Sequence, residues 1–181
     1  MVNRAYLVAL VVERLVELVL SKRNAARAFA RGGVEVGQTH YRVMTAFHTL
    51  FIIACALEAR PFDPVLFFAF LPGALGAQGL RWWAIRTLGE RWNTRVIVVP
   101  GEQPVTGGPY RFLKHPNYLA VVIELFCVPM MMGAFFTAIA FSLGNALLLY
   151  VRIRAEERAL GPQWQQAFAG KSRLFPGARH G

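Results

Sequence analysis

The stretch MMMGAFF, Met130–Phe136, separates two long apolar runs of the sequence, Tyr118–Met132 and Phe135–Val151. Its glycine permits a tight turn, and the stretch is too short to form a loop of its own. Each run is about 17 residues long, so each would form a helix of ~26 Å, close to the thickness of a bilayer. The stretch therefore predicts an antiparallel helical hairpin, which returns Glu156 to the membrane face on which His115 lies.

Three more apolar runs precede the hairpin, at Ala5–Leu20, Val43–Leu57 and Val65–Leu88. The chain has 181 residues, of which 55% are hydrophobic and only 17% are charged, a composition that departs from the soluble average. The sequence predicts an all-α integral membrane protein with five transmembrane helices. We treat residues 1–181 as a single domain, because no repeat or long linker divides them.

The positive charges of the chain fall on alternate connections between the predicted helices. Residues 21–42, 86–115 and 152–181 hold sixteen of the twenty Lys and Arg residues. On the opposite side lie only Arg4 and Arg60, so the positive-inside rule predicts an N-terminus outside and a C-terminus in the cytoplasm. We expect the membrane to be a bacterial inner membrane. The net charge of +10 is explained by the bilayer and requires no nucleic acid.

Several ionisable residues lie inside the predicted spans, where a charge costs roughly 2.5–3.5 kcal/mol on insertion scales. Glu13 and Glu17 are four residues apart and share one face of the first helix. Their expected partners are Arg14, His48, Arg81 and Glu124. Such pairs either fix the packing of the helices or serve the function, and the sequence leaves both interpretations open. Cys55 and Cys127 are expected to be buried packing residues.

Two polar segments are expected to meet at the cytoplasmic face, GGPYRFLKHPNYL (Gly107–Leu119) and RIRAEERAL (Arg152–Leu160). Together they offer aromatic rings, an imidazole, a carboxylate and a guanidinium. Rings and a carboxylate suit an organic cation, whereas arginine and backbone amides suit an anion. S-adenosylmethionine needs both kinds of contact, and the neighbouring apolar helices would hold a lipid-like second substrate. Asn117 is expected to cap the fourth helix.

At these residues the sequence resembles the isoprenylcysteine carboxyl methyltransferase family, small integral-membrane enzymes that use S-adenosylmethionine. The resemblance covers residues 76–177 as a catalytic core, preceded by front helices in residues 1–75. It implies cofactor contacts at Pro104, Val105, Tyr110, His115, Pro116, Asn117, Tyr118 and Glu156. It also implies a substrate-binding, catalytic Arg152, and we expect no metal. Lys114 stands where the family usually has arginine, a change that keeps the charge but loses the bidentate fork.

The front half is similar to a bacterial branch of this family, through ERLVELVLSKRN and GGVEVGQTHYRVM. That branch is associated with methylation of a hydroxyl on alkylpyrones or alkylresorcinols. The resemblance implies methyl transfer to an oxygen of a lipophilic small-molecule or prenylated substrate. Arg152 would hold the acceptor oxyanion, and Glu156 would complement the amino group or the sulfonium of the cofactor. Glu157 would orient Arg154 or assist proton removal.

Other functions stay open at this point. A membrane reductase of the sterol-reductase type has a similar loop and hairpin but binds NADPH, and its larger upstream spans are missing here. A phospholipid N-methyltransferase is disfavoured, because an amine acceptor gains nothing from a facing arginine. A non-enzymatic membrane module would leave the paired polar segments unexplained. The segment Gln163–Gly177 is either an amphipathic lid over the site or a surface helix.

Overall fold

A computed structural model describes residues 2–175 of the chain, and these residues form five α-helices. The helices are α1 (Val2–Ala30), α2 (Gln38–Glu58), α3 (Pro64–Leu88), α4 (Pro116–Met131) and α5 (Phe135–Ala167). Each predicted apolar run falls in one of them. By length and composition α2 and α5 could cross a membrane, and α4 is a shorter apolar helix. That all five helices span the bilayer remains a prediction.

The predicted hairpin is confirmed. α4 ends at Met131, Gly133 adopts a left-handed conformation with φ 68°, and α5 begins at Phe135. Glu58 caps the start of α5, because its carboxylate accepts hydrogen bonds from the backbone N–H groups of Phe136 and Thr137 at 2.8 and 2.7 Å. The hydroxyl of Thr137 donates a third bond at 2.6 Å. The last residue of α2 therefore fixes the first turn of α5.

The connections that are poor in charge meet at the same end of the bundle. The side chain of Asn3 donates to the carbonyl of Arg60 at 3.1 Å, and the Arg60 N–H donates to the carbonyl of Met132 at 2.9 Å. At the other end, the Asn24 amide donates to the carbonyls of Gly89 and Trp92 at 3.1 and 2.8 Å. The cation-rich connections thus share one end, as the charge pattern predicts.

The all-α prediction is wrong in one detail, because the structure contains a small antiparallel sheet. Strand β1 (Val34–Val36) pairs with strand β2 (Val96–Val98), and Glu35 lies opposite Ile97. The sheet ties the connection after α1 to the segment after α3. Three-residue strands are too short to produce an alternating pattern, so sequence reasoning had no signal for them.

α3 and α4 pack closely because small residues line their interface. Ala74 and Ala77 are completely buried, and a Cβ atom added to Gly73 would lie 2.7 Å from the sulfur of Cys127. Cys55 and Cys127 are both buried and free, which confirms that they are packing residues. Small residues allow such close approach between membrane helices.

The ionisable residues inside the bundle form one network, which confirms three of the four predicted partners. Arg14 pairs with Glu17 at 2.8 Å and lies 3.6 Å from Glu124, and Arg81 pairs with Glu124 and lies 3.6 Å from Glu17. His48 does not join the network by a hydrogen bond, because its Nδ1 contacts the carbonyl of Met44 at 2.8 Å. The network links α1 to α3 and α4.

Candidate active site

A cavity of about 480 Å³ lies at the cation-rich end of the bundle and extends toward its middle. Its wall includes seven of the eight predicted cofactor residues together with Arg152, namely Pro104, Val105, Tyr110, His115, Asn117, Tyr118, Arg152 and Glu156. Residues from the loop before α4 and from both arms of the hairpin therefore surround one space. Its volume lies within the ~300–1,000 Å³ range of small-molecule sites.

The two arms of the hairpin meet through three side chains. Tyr118 lies in the first turn of α4, and its hydroxyl donates a hydrogen bond to the carboxylate of Glu156. Arg152 precedes Glu156 by one turn of α5, and its Nε donates to the Tyr118 oxygen at 3.1 Å. The same Nε lies 3.8 Å from the Glu156 carboxylate. The site thus places a cation and an anion side by side on one wall.

The Arg152 guanidinium is held in place and still has a donor to spare. Its Nη2 donates to the backbone carbonyl of Thr94 at 2.9 Å. Its Nη1 is buried and has no hydrogen-bond partner among residues 2–175. Because a buried donor without a partner is costly, this atom is suited to receive an oxygen that carries negative charge.

Stacked rings form the adjacent wall. The rings of His115 and Tyr118 are 5.3 Å apart at 25°, those of His115 and Trp164 are 5.5 Å apart, and Trp164 stacks on Phe168 at 4.6 Å. Tyr110 is buried beside them, and burial, aided by the charge of Glu156, raises the pKa of its phenol. Tyr110 therefore stays a neutral hydrogen-bonding group at every physiological pH.

Two of the predicted site residues do not contribute side chains to the cavity wall. Pro116 is buried as the first residue of α4, where its missing N–H costs nothing. Glu157 turns away from the cavity and accepts hydrogen bonds from His115 Nε2 at 3.2 Å and from Arg173 at 2.8 Å. The expectation that Glu157 orients Arg154 is wrong, because the Arg154 guanidinium lies over the ring of Tyr150 at 4.3 Å.

Glu157 and Arg173 hold the imidazole of His115 in position. The hydrogen bond to Glu157 is the main cause of the raised pKa of Arg173. The bond from Nε2 fixes the orientation of the His115 ring against Tyr118 and Trp164. Glu157 therefore affects the cavity by orienting His115 and not by lining the cavity itself.

Asn117 does not cap α4 as expected. His115 is the N-cap residue and makes no side-chain cap bond, so Asn117 is the second residue of the helix. Its Oδ1 atom is buried without a hydrogen-bond partner in the described part of the chain, and the residue lines the cavity. The amide is therefore available to a ligand.

The part of the chain that follows the break at Gly161 folds back over the cavity, in agreement with the lid interpretation of residues 163–175. Gly161 breaks α5 with φ 75° and ψ −172°, which directs Trp164 and Phe168 onto the site. The N–H of Lys114 then donates to the carbonyl of Ser172 at 2.9 Å, and that of His115 to the carbonyl of Arg173 at 3.1 Å. The last two residues of the predicted lid, 176 and 177, lie outside the described residues.

The sequence analysis did not predict the part of the cavity wall that is formed by the segment after α3. Trp92 is only 3% exposed, its Nε1 has no partner within residues 2–175, and it lines the cavity with Thr94. At the mouth, Glu102 accepts from Arg31 at 2.9 Å and Gln103 accepts from Gln163 at 2.9 Å. The sequence stretch LGERW, Leu88–Trp92, was the available signal for Trp92, whereas the carbonyl of Thr94 has no sequence signal.

Known sequences resemble this chain over much of its length. A sequence model of the isoprenylcysteine carboxyl methyltransferase family matches residues 69–162. The uncharacterized protein YpbQ of Bacillus subtilis is 37% identical over 154 residues, which are 83% of this chain and 92% of the relative. An uncharacterized protein of Haemophilus influenzae is 24% identical over 159 residues, covering 81% of this chain and 88% of that protein. The family match over residues 69–162 includes both polar segments of the site.

Proposed function

The chain belongs to the isoprenylcysteine carboxyl methyltransferase family of membrane methyltransferases, and from this premise we propose a specific reaction. The protein transfers a methyl group from S-adenosylmethionine to a carboxylate or hydroxyl oxygen of a lipophilic acceptor. The observation that carries this proposal is the contact between Tyr118, Arg152 and Glu156 on one cavity wall, with an Arg152 donor left unpaired.

The residues present fit the cofactor. Its adenine and ribose need ring faces and neutral hydrogen-bonding groups, which Tyr110, His115 and Asn117 supply. Its cationic parts need a carboxylate, which Glu156 supplies. The buried Oδ1 of Asn117, which lacks a partner among the described residues, is an acceptor of the kind that an exocyclic amine or a hydroxyl would use. The backbone of Pro104 and Val105 would complete the contact.

When bound, S-adenosylmethionine supplies a methyl group already activated by its sulfonium; an acceptor hydroxyl would lose its proton to solvent before the transfer, and S-adenosylhomocysteine is the second product. The protein therefore needs mainly to orient the acceptor and to exclude water. Arg152 would favour the ionised acceptor oxygen, because a nearby cation stabilises an anion. Tyr118 and the carbonyl of Thr94 fix the guanidinium, so this donor is preorganised.

Glu156 would complement the amino group or the sulfonium of the cofactor. Its distance of 3.8 Å from Arg152 means that the two charges also balance each other between reactions. Glu157 does not line the cavity, and its carboxylate is engaged by His115 and Arg173, so we propose that its role is to position His115. An acceptor oxygen that is already ionised beside Arg152 needs no general base.

We propose that the site faces the cytoplasm of a bacterial inner membrane and that the N-terminus lies outside. The support is the charge asymmetry of the connections, sixteen cations against Arg4 and Arg60. Methyl donors are made in the cytoplasm and acceptors of this kind lie in the bilayer, so a cavity at the cytoplasmic end can receive both.

Isothermal titration of the detergent-purified protein tests the proposal. We expect S-adenosylhomocysteine to bind to the wild type and this binding to be lost in the Tyr118→Ala, Glu156→Ala double variant. NADPH should bind to neither protein. Binding of NADPH in place of S-adenosylhomocysteine would show a membrane reductase and overturn the proposal. Loss of folding in the double variant is monitored by size-exclusion chromatography, and the milder Glu156→Gln variant gives a second reading.

A further inference from the structure

The cavity continues past the candidate cofactor site to a second polar surface nearer the middle of the bundle. This surface, which we name the inner polar wall, consists of Arg14 and Glu17 on α1, His48 on α2 and Arg81 on α3. None of these residues takes part in the proposed chemistry. The inference drawn from them rests on the proposed function, because it concerns the second substrate of the same cavity.

The charged network inside the bundle has two different sides. On the far side from the cavity, Glu13 accepts a hydrogen bond from Trp82 at 2.7 Å and Glu124 accepts from Gln78 at 3.3 Å. Neither of these two carboxylates lines the cavity. On the near side, Arg14, Glu17 and Arg81 do line it. The network is thus packed against protein on one side and faces open space on the other.

The side that faces the cavity is also the side with unused hydrogen-bonding capacity. Glu17 Oε1 and Arg81 Nε lie 3.6 Å from each other, beyond hydrogen-bond distance, and neither has a hydrogen-bond partner among the described residues, although Glu17 is 4% and Arg81 3% exposed. The Nε atom of Arg14 lacks a hydrogen-bond partner in the same part of the chain, whereas its Nη2 lies 3.4 Å from Glu13 and 3.6 Å from Glu124. A network that served packing alone would be expected to satisfy such buried groups. The inner polar wall therefore has the properties of a ligand site.

The charge of the network indicates what kind of group it would accept. Three carboxylates, those of Glu13, Glu17 and Glu124, surround two guanidinium groups, those of Arg14 and Arg81. The cations are already outnumbered, so another carboxylate or a phosphate is disfavoured. An uncharged oxygen that can both donate and accept, as a hydroxyl does, matches a wall on which a carboxylate oxygen and guanidinium N–H groups make ion pairs but no hydrogen bond within residues 2–175.

One face of α2 separates this space from the lipid. The cavity is lined on that side by residues at helical spacing, Tyr41, Met44, Thr45, His48, Thr49 and Ile52. Within the described chain α2 fully buries only Phe51 and Cys55, so it packs loosely on the bundle. Tyr41, Thr45 and Thr49 also line an outer groove of about 550 Å³. An alkyl tail attached to a head group in the cavity would leave along this face of α2.

We propose that the inner polar wall binds a second, uncharged oxygen on the head group of the acceptor. The acceptor then carries one oxygen at Arg152, where it is methylated, another at Arg14, Glu17 and Arg81, and an alkyl tail that passes α2 into the bilayer. This assignment excludes two classes of acceptor, phospholipids and amphiphiles with a single polar group.

A matched pair of ligands tests the assignment: an alkylresorcinol, with two hydroxyls, and the meta-alkylphenol of the same chain length. Binding to the complex with S-adenosylhomocysteine is measured by titration, and methyl transfer is followed separately with labelled S-adenosylmethionine. We expect the resorcinol to bind and to react at least about tenfold better, because a site built for a hydroxyl discriminates strongly against its loss. In the Arg14→Met and Glu17→Gln variants, the ratio of resorcinol to phenol in affinity and in rate should fall toward one.

Arg27→Met is the matched control, since Arg27 lies on the same helix in an exposed ion pair with Glu90 and does not line the cavity. It should keep the wild-type ratio. Equal binding of the two ligands by the wild type, or an unchanged ratio in both inner-wall variants, overturns the assignment. Retained binding of S-adenosylhomocysteine in those experiments leaves the proposed function standing. If the wild type does not bind S-adenosylhomocysteine, both the proposed function and the assignment of the inner polar wall are overturned.

Discussion

Glu156→Gln tests the electrostatic part of the site more sharply than any truncation. Glutamine keeps the shape of the side chain and an oxygen that can accept the hydrogen bond from Tyr118. Only the negative charge is lost. The guanidinium of Arg152, 3.8 Å from this carboxylate, then stays as an uncompensated cation. The local charge rises by one unit just where a cationic ligand is proposed to bind.

The expected effect follows from the geometry. Two unit charges ~4 Å apart interact by about 4 kcal/mol at an effective dielectric constant of ~20. The Glu156 side chain is 24% exposed, so water screens part of this interaction. A charge-assisted hydrogen bond is worth about 1.5–3 kcal/mol, which corresponds to a ~10- to 100-fold increase in Kd. We expect a loss of affinity in this range.

Titration with two ligands identifies which cationic part of the cofactor Glu156 meets. S-adenosylmethionine carries both an ammonium and a sulfonium, whereas S-adenosylhomocysteine has only the ammonium. Equal losses of affinity would indicate a contact with the amino group, and a loss confined to S-adenosylmethionine would indicate the sulfonium. Asp63→Asn removes the same charge from the exposed N-cap of α3 at the other end of the bundle; it should change each Kd by less than about twofold, because exposed distant charges are screened. Unchanged affinity of Glu156→Gln for both ligands would refute the reasoning.

Two further predictions concern the backbone of the site and its membrane orientation. Gly108→Ala should destabilise the detergent-solubilised protein by about 1–3 kcal/mol, because Gly108 has φ 53° and an added Cβ would lie 2.2 Å from the hydroxyl oxygen of Thr87. Gly107→Ala, with φ −81° and open space around it, should leave thermal unfolding unchanged; equal effects of the two variants would contradict this account. A membrane-impermeant maleimide should label Arg60→Cys in intact spheroplasts and Arg91→Cys only after lysis, and the reverse pattern would invert the proposed topology.

The part of the fold that depends on local sequence could be predicted. A glycine between two apolar runs is sufficient to specify a helical hairpin, and hairpin geometry alone brings Tyr118 to Glu156 and Arg152. Helical periodicity was likewise enough to place Glu13 and Glu17 on an inward face. In each case the spacing along the chain determines the spacing in the structure.

The parts formed by distant, irregular segments could not be predicted. The carbonyl that holds Arg152 belongs to Thr94, and a backbone carbonyl is independent of residue type, so no sequence pattern marks it. The pairing of Glu157 with Arg173 depends on a segment that returns only after the break at Gly161. The sequence suggested Arg154 as the partner of Glu157, and the path of the lid brings Arg173 to it instead.

The cap that Glu58 places on α5 has a consequence for how this chain can vary in length. It fixes the first turn of α5, and Arg152 lies about four turns further along the helix. Inserting or deleting one residue between those points would turn Arg152 by about 100° and shift it by about 1.5 Å. It would then face away from Tyr118 and Thr94. We therefore expect relatives to tolerate insertions at the mouth of the cavity and after the lid, but not in the part of α5 between its cap and Arg152.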